Sequence, residues 1–109
     1  MKVALLWNGN ANSASTYCRA KEKFDIHYLL TFLQKEHCNA NFLSTLKLQC
    51  KKLGVPFFWA KMETSRPEEY SETLAELKKD YGIEGIITNG TQSAIEDACR
   101  TIGIKVIKD

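Results

Sequence analysis

The chain has 109 residues, 44% of them hydrophobic and 26% charged, with a formal net charge of +2. That suffices for one domain with a modest core, and it argues against nucleic-acid binding, because no face collects a block of Lys and Arg. No apolar run nears the roughly 20 residues of a bilayer span, and the apolar stretch after Lys2 is short and stops at Asn8-Gly9, so a cytoplasmic protein without membrane contact is expected.

Taken in order, the chain alternates two periodicities. Residues 3–7 are a continuous apolar run, as expected of a strand covered on both faces. They stop at an Asn/Gly cluster that opens into a helix predicted over 13–23, where Ala14, Tyr17 and Cys18 are the residues to bury. Residues 26–33, IHYLLTFL, return to a β-branched and aromatic strand. A polar connection over 35–40 leads to Phe42, Leu43, Leu46, Cys50 and Leu53, which recur at helical spacing up to Gly54, read as a left-handed C-terminal residue.

Residues 55–60, VPFFWA, make a third strand with Pro56 near its start. Ser65 and Glu68 have the spacing of a capping box, and Tyr70, Leu74, Leu77 and Tyr81 continue that helix on one face. The fourth strand, 83–88, ends at Asn89-Gly90 much as the first ends at Asn8-Gly9. Ala94, Ile95, Ala98, Cys99 and Ile102 form the cleanest amphipathic pattern, closed by Gly103 before a short fifth strand over 104–107.

Five strands separated by helices argue a single-domain, three-layer α/β/α fold with a five-stranded parallel sheet, since each crossover is right-handed and a helix must cover each face. Order 3-2-1-4-5 makes the first and fourth strands neighbours, with Val3, Leu5, Ile86 and Ile87 at the centre. Order 2-1-3-4-5 stays open. In the first arrangement residues 8–13 and 88–91 face one another, which explains why both loops carry Asn-Gly. Backbone N–H groups of such a loop, with the positive end of the following helix, hold a phosphate without any charged side chain. The competing view is that both dipeptides are simply turns.

Other residues read as scaffold. Cys18, Cys38, Cys50 and Cys99 never form a C-x-x-C pair, so reduced, mostly buried thiols are expected and no metal site is assigned. His27 reads as a core or edge histidine, Trp7 and Trp59 as core anchors at strand ends, and Lys51-Lys52 and Lys78-Lys79 as solvated helix positions. A glycine signature of the universal-stress type is incomplete after Gly82 and Gly85, and G-x-G-x-x-G is missing after the first strand.

Asn8-Gly9-Asn10-Ala11-Asn12-Ser13 occupies the place of the S-G-G-x-D-S motif of PP-loop ATP pyrophosphatases, retaining Gly9 and Ser13. With CKKLGVPF at 50–57, GIEGIIT at 82–88 and CRTIGIKV at 99–106, the chain resembles the N-terminal domain of diphthine–ammonia ligases, in the HUP-like, adenine nucleotide alpha hydrolase-like superfamily. The resemblance implies a fold of that class over 1–109, lacking the family's C-terminal domain, and a chemistry in which ATP adenylates a carboxylate and ammonia displaces AMP. It also places His37 near a ligand-side histidine of the family.

Ala11 and Asn12 stand where the family has its usual lysine and its aspartate. An amide lacks the charge that helps hold a hard cation, so Mg²⁺ binding is expected to be poor. The resemblance thus points to a domain that binds ATP, AMP or phosphate over Asn8, Gly9, Asn10, Ala11, Asn12 and Ser13, with Thr88, Asn89 and Gly90 as the opposite wall, and that is impaired in catalysis. The rival is an ATP-dependent amide ligase or ATP pyrophosphatase acting with a partner chain. A protein partner or a homo-oligomer is compatible with both.

Overall fold

Strand β1 (Lys2–Leu6) lies at the centre of a five-stranded sheet whose order is β3-β2-β1-β4-β5, with β2 spanning Asp25–Gln34, β3 Phe57–Met62, β4 Gly85–Thr88 and β5 Lys105–Lys108. Every pairing is parallel. The helices are α1 (Ala11–Ala20), α2 (Ala40–Leu53), α3 (Pro67–Tyr81) and α4 (Ser93–Ile102). The structure, a computed structural model, describes residues 2–9, 11–37, 39–64, 66–88 and 93–108.

Alternation along the central strands divides the core into two halves. Val3, Leu5, Leu29 and Ile87 point to the side of α1 and α2, where they meet Tyr17, Ala20, Leu46 and Cys50. Ala4, Leu30 and Ile86 point the other way, against Tyr70, Leu74, Leu77, Ile95, Ala98 and Cys99 of α3 and α4. Val3, Leu5, Ile86 and Ile87 are essentially inaccessible, and each such side chain contributes about 1.5–3 kcal/mol by leaving water. The expected order 3-2-1-4-5 is the observed one, and it puts the carboxyl ends of β1 and β4 side by side.

Several boundaries differ from the sequence reading, each for a local reason. Helix α1 starts at Ala11 and stops at Ala20. Within it the Thr16 hydroxyl donates to the Asn12 carbonyl at 2.9 Å, and beyond Ala20 a turn closes through the Lys23 and Phe24 N–H groups on the Ala20 carbonyl. β3 starts after Pro56, which has no N–H to give but accepts from the Leu29 N–H at 2.9 Å.

The start of α3 also departs from the expected capping box. Ser65 lies outside the described residues. Arg66 occupies the N-cap position without a side-chain bond, Pro67 follows it, and Glu69 rather than Glu68 reaches back. Its carboxylate accepts from the N–H groups of Glu63 and Thr64 at 2.7 and 2.6 Å and from the Thr64 hydroxyl. Those donors, the Thr64 hydroxyl foremost, lower its pKa to about 2.

His27 is the extra residue of a bulge: Val3 pairs with Ile26 but Ala4 with Tyr28. Its Nε2 lies 2.7 Å from Asp25 Oδ2, so this half-buried histidine near the start of an inner strand has a partner. Trp7 is buried as expected, whereas Trp59 is only half-buried, because β3 is an outer strand. Lys51 and Lys52 are exposed. Lys78, also exposed, donates to the Ile102 carbonyl at 2.7 Å and so ties α3 to the end of α4.

Candidate functional site

The two strand ends that define the crevice differ in how their polar groups are used. On the β1 side the chain runs straight on from Leu6: Trp7 N–H donates to the Leu30 carbonyl at 2.8 Å, and the Thr31 hydroxyl donates to the Trp7 carbonyl. The loop then turns at Gly9, whose φ is 80°. Asn8 and Ser13 close it on each other. The Ser13 hydroxyl donates to Asn8 Oδ1 at 2.5 Å, and the Asn8 N–H donates to Ser13 Oγ at 3.2 Å.

Because α1 begins at Ala11, residues 11–13 form its first turn rather than a free loop. Their N–H groups are among the four that a helix start leaves without an intrahelical partner. The positive end of α1 therefore lies at the carboxyl end of β1. Ala11 and Asn12 are exposed, whereas Ser13 is buried and serves the loop's own closure. Asn10 lies outside the described residues.

A third element supports this turn from behind. Gln49 of α2 accepts from the Trp7 indole N–H at 3.1 Å and donates to the Gly9 carbonyl at 3.4 Å. A Cβ at Gly9 would come within 2.8 Å of Leu46 Cδ2 and 2.9 Å of Gln49 Oε1. The glycine is thus required by the packing of the loop on α2. Sequence reasoning missed Gln49, a half-buried polar residue on a helix, because nothing in its spacing marks it.

On the β4 side, Thr88 is wholly buried and its hydroxyl has no hydrogen-bond partner among the described residues. In the alternation of β4 its side chain follows Ile86 rather than Ile87, so it faces the α3 and α4 side of the sheet and not the start of α1. Asn89 and Gly90 lie outside the described residues. Thr88 pairs in register with Lys108 of β5, whose Nζ sits 2.8 Å from Oε1 of the buried Glu96 on α4. The approach is off the hydrogen-bonding direction, so that oxygen has an ion-pair partner but no aligned donor.

The donor set bears on metal chemistry. Ala11 offers no group at all and Asn12 only a neutral amide, which fits a hard divalent cation poorly. The remaining thiols are remote in character: Cys50 and Cys99 are buried, and desolvation raises both to a pKa of about 11, which keeps them protonated and unreactive. Cys18 is exposed. Cys38 and the His37 side chain lie outside the described residues.

The sequence pattern of the diphthamide synthase N-terminal domain matches residues 1–106. The chain belongs to that family. A solved structure described as a predicted subunit of tRNA methyltransferase from Methanocaldococcus jannaschii has the same fold. It superposes with a TM-score of 0.54 at 14% identity, over 99% of this chain and 67% of that one. No protein with a curated description matches. Membership of the diphthamide synthase N-terminal domain family accounts for the five-stranded parallel sheet and for the position of the β1–α1 turn. Among the described residues no helix is long and apolar enough to cross a membrane.

Proposed function

We propose that this member of the diphthamide synthase N-terminal domain family binds ATP, AMP or phosphate at the carboxyl ends of β1 and β4 and does not itself turn over ATP. Gly9 and the start of α1 supply backbone donors, Asn8 and Ser13 shape the turn, and Thr88 closes the neighbouring strand as the opposite wall. The observation that carries the reading is the turn at Gly9 that leads into the start of α1 at the carboxyl end of β1, beside β4. Backbone donors survive the loss of side chains, so an anion site outlasts the ability to organise metal. Affinity is weak and nearly independent of Mg²⁺.

Adenylation would require charge on the departing pyrophosphate to be neutralised. Ala11 and Asn12 do not do this, and the chain alone is expected to release pyrophosphate from ATP no faster than buffer. The second reading, an amide-forming ligase or ATP pyrophosphatase, is favoured by the family's description as the first domain of a synthase and calls on a partner chain for the missing groups. The described subunit character of the structural neighbour supports a protein partner, and the working compartment of such an assembly is the cytoplasm.

Calorimetric titration with ATP, AMP and inorganic phosphate, with and without Mg²⁺, tests both readings. Weak binding that ignores Mg²⁺ supports the first; magnesium-dependent pyrophosphate release by the purified chain supports the second. Amide shifts centred away from residues 8–13 and Thr88 would remove the assignment of the crevice.

A further inference from the structure

The two helix layers carry opposite charge. On the side of α1 and α2, Lys21, Lys23, Lys47, Lys51 and Lys52 are exposed, and Glu22 is the only acidic residue within 11–24 and 40–53. On the side of α3 and α4, Glu68, Glu72, Glu76 and Asp80 stand exposed at intervals of four residues, a spacing that lines them along one side of α3. The lysines are divided between two stretches of the chain, and the fold gathers them into one layer. A net charge of +2 hides this separation.

Local needs of the helices do not account for it. Basic residues in a last turn and acidic residues in a first turn complement the helix dipole, which covers Lys51, Lys52 and Glu68. Lys47, Glu72 and Glu76 lie between the helix ends, and Asp80 sits at the end where negative charge is unfavourable. Like charges four residues apart also weaken an isolated helix. Among the described residues no ion pair engages Lys23, Lys47, Lys51 or Lys52, nor Glu68, Glu72, Glu76 or Asp80. Leu48, 54% exposed, stands next to Lys47 and one turn before Lys51 and Lys52, and gives the basic face an apolar point.

We propose that the basic face of α1 and α2 is an interaction surface for the acidic side of α3 on a second copy of the chain. Opposite signs meet only in this head-to-tail arrangement. A two-fold contact sets a patch against itself, so a face-to-face pair would oppose lysines to lysines or carboxylates to carboxylates. Antiparallel pairing through the open edge of β3 has the same defect, because α2 and α3 flank that strand and each would lie beside its own copy. Exposed ion pairs are individually weak and screened by salt, so the assembly is loose and reversible. It does not depend on what the β1–α1 turn binds.

Sedimentation of the full chain tests this. The average mass of the parent should rise to roughly twice that of one chain or more at about 0.02 M salt, and return to one chain at about 0.5 M. Two charge-reversed variants separate the faces: Lys47→Glu with Lys51→Glu and Lys52→Glu, and Glu68→Lys with Glu72→Lys and Glu76→Lys. All six positions are exposed, so both variants should melt close to the parent. Each alone should sediment as a single chain at low salt. Mixed in equal amounts they should associate again, because the reversed α2 of the first meets the reversed α3 of the second.

A parent chain that stays single at low salt overturns the proposal; if it then shifts with a single-stranded RNA oligonucleotide, the basic layer belongs to a nucleic-acid partner instead. Association that persists at high salt, or in both separate variants, also overturns it, since apolar or strand-edge contact would be its source. A mixture of folded variants that stays dissociated does the same. Should one variant fail to fold, the other and the salt response of the parent decide.

Discussion

Asn8 and Ser13, at the two ends of the β1–α1 turn, satisfy each other: the serine hydroxyl donates to the asparagine side-chain oxygen and accepts from the asparagine main-chain N–H. Ser13 is buried, so Ser13→Ala strips both bonds from a place that water does not refill. The expected loss is about 1–3 kcal/mol, read as a lower urea midpoint at unchanged slope. Because the residues act as a unit, Asn8→Ala combined with Ser13→Ala should cost less than the sum of the single changes.

Gly9→Ala should destabilise the chain through its packing on α2. The backbone at φ 80° disfavours any L side chain, and the added methyl meets Leu46 and Gln49 below 3 Å. Together these effects are expected to cost about 2–4 kcal/mol. Pairing Gly9→Ala with Leu46→Ala should leave the backbone strain in place, so chemical unfolding of the double variant should show no return to parent stability. Gly9 variants are therefore poor probes of ligand contact.

Ala11→Lys with Asn12→Asp restores the charges usual in the resembling motif. Since these positions lie in the first turn of α1, the new carboxylate also meets the positive helix end, worth about 0.3–1 kcal/mol. ATP should bind more tightly than to the parent and only when Mg²⁺ is present. Equal ATP affinity with and without Mg²⁺ in calorimetry would show that these two positions do not govern the metal.

Glu69 gives the start of α3 a defined acid response. Its carboxyl is lowered from 4.5 to about 2 in the folded chain, so its contribution is complete above the unfolded value and is lost as pH falls from there toward 2. The melting temperature of the parent should drop more steeply between pH 5 and 2 than that of Glu69→Gln. At pH 7 the variant should be the less stable of the two.

How much of this was legible beforehand depends on the kind of signal. Val3, Leu5, Ile86 and Ile87 announced the two central strands because burial on both faces leaves an unbroken apolar run. The start of α1 was not visible, since Ala11 and Asn12 are exposed and carry no periodic apolar face. The bulge at His27 escaped for a related reason: pairing register is a property of two strands, and a single run of residues does not reveal a one-residue slip. The turn after β1 was marked by its Asn-Gly pair, but Gln49, which bonds to it, comes from a helix far along the chain and has no local mark.

The central pairing of β1 with β4 joins opposite ends of the chain, Val3 facing Gly85 and Leu5 facing Ile87. During synthesis β1, β2 and β3 can assemble early, yet one edge of β1 must wait uncovered until β4 emerges. Closing that gap needs a contact of long sequence separation, the slow kind in folding. A nascent or truncated chain that stops before β4 presents an apolar, unpaired strand edge, so shortening the protein from its carboxyl side is a route to aggregation well before it is a route to a smaller stable domain.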